Sequence, residues 1–170
     1  MTLTFQTKAH GPKVAYLFPG QGAQAVGMGQ KLYEQSPAAR EVFQQVDDAL
    51  GRSLTRIMFD GPEEELRQTV NAQPGIMAVS LACVMAMEER LDEDKLPEPV
   101  VMAGHSLGEY SALAVAGVLD IADTTRLVQM RGKLMQEACE KNPGTMAAII
   151  GVDQMALEEV ARETGVWVSN

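Results

Sequence analysis

The sequence predicts an α/β fold, and three observations carry that prediction. Short, wholly apolar runs alternate with longer segments of helical spacing. Two of the apolar runs end in glycine-rich turns. Several of the longer segments open on capping residues and close on glycine. In chain order, Lys13 to Phe18 is a short apolar strand, stopped by Pro19-Gly20. Gly27 to Gln35 has helical spacing. Ser36-Pro37 opens a second helix, with serine as N-cap, proline at the first helical position and Gly51 just past the end. Gly61-Pro62-Glu63-Glu64-Glu65 repeats the device, its acids lying in the first turn where the helix dipole favours them. After Gln73-Pro74 a long apolar helix runs to about Arg90.

Pro97 to Pro99 is a break. Val100-Val101-Met102-Ala103 reads as a central parallel strand, apolar on both faces. A glycine-flanked serine follows, then a helix of small residues from Glu109 to Ala116. Asp120 or Asp123 caps the next helix, which reaches about Glu140. Asn142-Pro143-Gly144 is a turn. Met146 to Ile150 is predicted as a strand, Asp153 to Thr164 as a helix closed by Gly165, and Val166 to Ser169 as a last strand. Residues 1–12 form a leader with no apolar stretch of the secretory type. A composition break near Asn142 to Thr145 separates a main layer, residues 13–141, from a second unit, residues 145–170, which ends without a closing element.

Bulk properties narrow the function classes. The chain has 170 residues, 46% of them hydrophobic and 22% charged, enough for one compact domain with a real core. Its formal net charge of -9 argues against nucleic acid, whose binding needs phosphate neutralisation, and against anionic membranes. The apolar run from Gly75 to Met87 is too short to span a bilayer, which leaves a cytoplasmic protein as the default. Two cysteines, Cys83 and Cys139, are too few for a disulfide framework and are expected as buried reduced thiols.

Gly104-His105-Ser106-Leu107-Gly108 fits a nucleophile elbow: an apolar strand, a tight glycine-flanked turn, then a helix. Such a turn exposes the serine hydroxyl, and the small flanking residues relieve backbone crowding. A serine nucleophile also needs a base. Only His105 and His10 exist. His105 adjoins Ser106, and neighbours on a sharp turn point in different directions, so His105 is expected to line the elbow rather than to act as the base. Nothing places His10.

The first glycine-rich turn, Phe18-Pro19-Gly20-Gln21-Gly22-Ala23-Gln24-Ala25, admits three readings. It contains a relaxed dinucleotide fingerprint, but the second strand and acid that fingerprint requires are replaced by the capped helix of Ser36 to Leu50. It is also a plain turn. In the third reading its backbone faces the serine and completes an oxyanion hole, with Gln21 and Leu107 as the two N–H donors. Arg131 shares a helical stripe with Leu127, Leu134 and Ala138. A guanidinium there is either a structural ion pair with a snorkelling stem or a bidentate clamp for a substrate carboxylate. Gly132 beside it permits close backbone approach. Met130 and Met135 read as core.

Taken together, these motifs identify a resemblance. The chain resembles the malonyl-CoA:acyl carrier protein transacylases and the related acyltransferase domains of fatty acid and polyketide synthases. The matching runs are Phe18 to Gln24, Asn71-Ala-Gln-Pro74, Gly104-His-Ser-Leu-Gly-Glu-Tyr-Ser-Ala112, Val128-Gln-Met-Arg-Gly132 and Met146 to Gly151. The resemblance implies a hydrolase-like parallel-sheet subdomain (residues 13–141) carrying the start of an inserted ferredoxin-like α+β subdomain (residues 145–170). It implies transfer of malonyl from coenzyme A to Ser106, then to the phosphopantetheine thiol of acyl carrier protein. No bound cofactor is implied, only a coenzyme A thioester as substrate. Ser106 matches the nucleophile, Gln21 and Leu107 the oxyanion-hole backbones, Arg131 the carboxylate-binding residue, and Gln73 a residue lining the site. No metal ligands are implied. The resemblance also implies a chain longer than this one, with the histidine base beyond Asn170 and the missing C-terminal part as a partner. The competing expectations are a serine esterase or thioesterase on the same elbow, and a non-catalytic, truncated module that binds acyl carrier protein.

Overall fold

The computed structural model describes residues 13–91 and 99–169. It is a mostly helical α/β arrangement around a small parallel sheet. Strand β1 (Val14–Phe18) leads through a turn to helices α1 (Gln30–Gln35) and α2 (Pro37–Leu50). Helices α3 (Leu54–Asp60), α4 (Glu63–Arg67) and α5 (Thr69–Arg90) follow. Strand β2 (Pro99–Gly104) then pairs in parallel with β1, Phe18 standing opposite Gly104. Helices α6 (Gly108–Val115), α7 (Ile121–Lys141) and α8 (Gln154–Thr164) complete the order.

Local chemistry explains most of these boundaries. The Ser36 hydroxyl accepts from Ala39 N at the start of α2, and Gly51 ends that helix in the left-handed conformation. Asp120, not Asp123, caps α7 by accepting from Asp123 N. Asp153 and Gly165 bound α8 as the sequence predicts. Helix α3 was not legible in the sequence. Its first N–H groups, on Leu54 and Thr55, are held by the Asp47 carboxylate seven and eight residues upstream.

Helix α5 corrects two expectations. It begins at Thr69 and runs through Pro74 instead of starting after it. An interior proline leaves the carbonyl four residues earlier without its helical donor. That carbonyl belongs to Val70, and Arg52 Nη2 reaches it at 3.4 Å while donating to Asn71 Oδ1 at 2.7 Å. Arg52→Met is therefore expected to lower stability by about 1–3 kcal/mol, the scale of an unsatisfied buried acceptor, read as a drop in thermal midpoint. The second correction concerns length. At 22 residues and a mean hydropathy of 1.5, α5 is long and apolar enough to cross a membrane. It is nonetheless a core helix: 78% of its apolar window is buried, against α2 and α7. Phe43, Met58, Met77, Leu81 and Val128 fill the space between these helices. Beside them Tyr33 and Phe43 each pack edge to face against Phe59 and tilted against each other, with ring centroids 5.4–5.9 Å apart.

Other expectations also change. Val101 is exposed on the uncovered sheet face it shares with Leu17; Val100 points to the other face and is exposed near the start of β2, which is paired with β1 alone among the described residues. Residues 146–150 and 166–169 form no strand; a strand needs a partner for its N–H and C=O groups, and none lies beside them in the described residues. The stripe of Leu127, Leu134 and Ala138 on α7 faces outward, as does Met130. The buried side of that helix is built from Thr124, Thr125, Val128 and Gly132, smaller residues that let it lie close to α5. Cys83 and Cys139 are free but exposed, not buried. Cys83 leaves the α5 core face and lines an apolar groove of about 440 Å³ beneath β1, with Tyr16, Phe18, Met28 and Val84. Partial burial pushes its thiol pKa up. Maleimide should modify Cys83 more slowly than a free cysteine thiol at neutral pH. The rate should still climb with pH where the free thiol has levelled off, because the thiolate is the nucleophile.

Candidate active site

Two glycine-rich turns meet at the ends of β1 and β2. His105 N donates to Phe18 O at 3.0 Å, which ties the second turn to the end of the first strand. Three glycines make the approach possible. A Cβ on Gly104 would lie 1.9 Å from the Gly108 carbonyl carbon, and one on Gly108 would lie 2.3 Å from Phe18 O. A Cβ on Gly20 would lie 2.6 Å from His105 Nδ1 and 2.8 Å from His105 O. Real Cβ atoms do not tolerate such distances, so side chains are excluded at all three positions. Ser106 is the only described non-glycine residue with positive φ, at 54°. Holding it there costs about 1–3 kcal/mol, which the packed glycine contacts on either side offset. The strained serine, the strand before it and α6 after it make up the elbow that the sequence predicts.

Helix α7 brings the positive charge. A Cβ on Gly132 would stand 2.9 Å from Thr69 O, so the missing side chain lets α7 touch the start of α5. Arg131 then reaches across. Its Nη2 donates to Ser106 Oγ at 2.9 Å and its Nη1 to Gln73 Oε1 at 2.6 Å. The guanidinium also lies 5.9 Å from the Tyr110 ring centroid, within cation–π range. Gln73 is fully buried, and its Nε2 donates to Met135 Sδ at 3.3 Å. The Gln21 side chain reaches the same region, its Nε2 donating to Thr69 Oγ1 at 3.4 Å.

The structure therefore gathers Ser106, Arg131 and Gln73 directly and seats Gln21 against the helix that carries Gln73. Leu107 is buried just after the serine. Among the described residues, neither Gln21 N nor Leu107 N donates to any acceptor. His105 lines the elbow with its Nδ1 toward Gly20, and the hydrogen bond to Ser106 Oγ comes from Arg131 instead. His10 lies outside the described residues. The dinucleotide reading of the first turn loses its remaining support. No helix starts on the Gly20–Gly22 segment, since α1 begins at Gln30. Arg131 has no carboxylate partner among the described residues, so the structural ion pair expected as one alternative is not what holds it.

Two neighbours were not singled out as site residues from the sequence. Met135 has the apolar character of a core residue, and Tyr110 falls within the run 104–112 that holds the elbow. Helical spacing was the available signal for Met135, four residues after Arg131; Ser106 lies outside α6, so no such spacing points to Tyr110. A serine hydroxyl hydrogen-bonded to a guanidinium whose other edge is held by an amide can anchor an acyl group that carries a terminal anion.

The acyl transferase domain family matches residues 15–167. The malonyl CoA-acyl carrier protein transacylase of Bacillus subtilis (strain 168) is 47% identical over 148 residues, 87% of this chain and 45% of the relative. An acyl-carrier-protein-S-malonyltransferase structure from Bartonella henselae superposes with a TM-score of 0.78 at 45% identity, over 89% of this chain and 48% of that one. A type II PKS acyl-carrier protein in complex with its malonyl-transacylase gives a TM-score of 0.77 at 39% identity, with the same coverage of 89% and 48%. The chain thus spans about half the length of the curated relatives it matches.

Proposed function

The chain belongs to the acyl transferase domain family, and we propose that it carries the acyl-accepting site of a malonyl-CoA:acyl carrier protein transacylase. The observation that carries the reading is the Ser106–Arg131 pair, 2.9 Å apart on a strained elbow. Ser106 Oγ attacks the thioester carbonyl of malonyl-CoA. The C–S bond breaks, coenzyme A leaves as a thiol with the serine proton, and a malonyl ester remains on Ser106. The phosphopantetheine thiol of acyl carrier protein then attacks that ester and returns the proton to the serine. Gln21 N–H and Leu107 N–H, both without acceptors among the described residues, stabilise the oxyanion in each step. Arg131 leaves the serine hydroxyl to hold the malonyl carboxylate while Gln73 keeps the other edge of the guanidinium.

A guanidinium is a donor only and cannot take the serine proton. His105, turned toward Gly20, is a lining residue. Activation of Ser106 therefore depends on a base outside the described residues. Residues 13–141 form the hydrolase-like subdomain in this reading and residues 145–170 the beginning of a ferredoxin-like one. The site needs no metal or bound cofactor, and a cytoplasmic setting suits both substrates.

The acceptor separates this reading from a hydrolase. With malonyl-CoA as donor, adding holo acyl carrier protein should speed coenzyme A release and yield malonyl-carrier rather than free malonate. Free malonate at an unchanged rate would favour the esterase or thioesterase reading. Binding of the carrier protein with no acyl transfer at all would favour the non-catalytic module.

A further inference from the structure

Gln73 is fully buried, yet both ends of its amide are satisfied by one neighbouring helix. Arg131 and Met135 stand four residues apart on α7, one above the other, and the amide lies between them. Chemistry fixes which end faces which. A guanidinium offers only N–H donors, so it must meet the amide oxygen; a flipped amide would set donor against donor. The amide nitrogen then needs an acceptor in a site closed to water. The Met135 thioether sulfur is that acceptor, at 3.3 Å. An alkyl side chain of the same volume would fill the space and accept nothing.

We propose that Met135 is a positioning residue for acyl-group selection: its sulfur fixes the orientation of the Gln73 amide, and the fixed amide aims the Arg131 guanidinium at Ser106. The consequence for substrate choice rests on Arg131 acting as the carboxylate clamp, whereas the positioning itself does not. With Met135 in place, Arg131 presents one free edge to the reacting serine and keeps the other engaged. Without the sulfur, the amide samples its flipped state and the guanidinium loses its fixed edge.

Side-chain NMR of the Arg131 guanidinium in the full chain tests this. Met135→Leu preserves volume and removes the acceptor. Rotation about the guanidinium C–N bond should become about tenfold faster, the equivalent of one net hydrogen bond. Met135→Gln supplies an oxygen acceptor and should restore slow rotation. The preference for malonyl-CoA over acetyl-CoA in labelling Ser106 should fall in parallel in Met135→Leu and recover in Met135→Gln. Wild-type rotation in a folded Met135→Leu chain overturns the proposal. Should that variant not fold, the Gln73→Glu background decides. A carboxylate has no N–H to satisfy, so adding Met135→Ala there, which brings neither donor nor acceptor, should leave Arg131 rotation as it is in Gln73→Glu alone, and a change would overturn the proposal. Equal malonyl and acetyl labelling of the unmodified chain would defeat the clamp reading alone. The rotational change would still stand as evidence for the positioning.

Discussion

Arg131→Ala is expected to cut acylation from malonyl-CoA on the order of a hundredfold while leaving acetyl-CoA nearly unaffected, the scale of losing charge-assisted hydrogen bonds worth about 3 kcal/mol. The asymmetry is the informative part. Arg131 makes two hydrogen bonds with the site empty, one to Ser106 Oγ and one to Gln73 Oε1. A malonyl carboxylate can replace the serine contact with a stronger, ionic one. An acetyl group has nothing to offer the guanidinium, so its removal costs that substrate little. Arg131→Lys should recover only part of the malonyl rate. An ammonium is a point charge and cannot hold Gln73 and a carboxylate on two edges of one plane. Competition between the two thioesters, read by mass spectrometry of the acylated chain, gives the ratio directly. Equal loss for both would assign Arg131 to supporting the elbow.

Gly108→Ala is expected to abolish acylation more completely than any change at the clamp. Its Cβ would fall 2.3 Å from Phe18 O and 2.8 Å from Phe18 C, both backbone atoms at the end of β1. No rotamer relieves a backbone clash, so the elbow must separate from the first turn. That separation moves Ser106 and Leu107 away from Gln21 together. Overpacking of this kind typically costs about 1–3 kcal/mol of stability. The catalytic loss should be larger than the stability loss, because a misplacement near 1 Å can cost about a hundredfold in rate. Thermal unfolding and acylation measured on the same variant separate the two. A normal acylation rate in folded Gly108→Ala would show that the junction is not needed.

Much of this arrangement was legible before any coordinates, and the reasons are local. Serine, aspartate and glycine caps act within a few residues, so α2, α7 and α8 begin and end where their sequences say. The elbow was legible because crowding at a strand-to-helix turn admits few residue types. What was not legible depends on distant partners. Pro74 reads as a helix start until Arg52, 22 residues upstream, is seen completing the Val70 carbonyl. Helix α3 has its own cap, Ser53 accepting from Arg56 N, as well as the distant Asp47, but at seven residues it is too short to show a helical period. The outward stripe of α7 misled in a different way: Leu127 and Leu134 have core chemistry, but the small residues Thr124, Thr125 and Gly132 permit the close approach to α5. At the site, the elbow motif points to Ser106, the helical stripe to Arg131 and the family resemblance to Gln73, whereas the sulfur that holds Gln73 has no signature beyond its spacing from Arg131.

The central claim is that Ser106 carries the malonyl group, and one measurement addresses it most directly. The chain is incubated with malonyl-CoA at mildly alkaline pH, denatured, digested and mapped by mass spectrometry. The account predicts a malonyl ester on the peptide containing Ser106, lost in Ser106→Ala and removed from the folded protein by holo acyl carrier protein. An equal malonyl adduct in Ser106→Ala, or none on Ser106 after prolonged incubation, would contradict it.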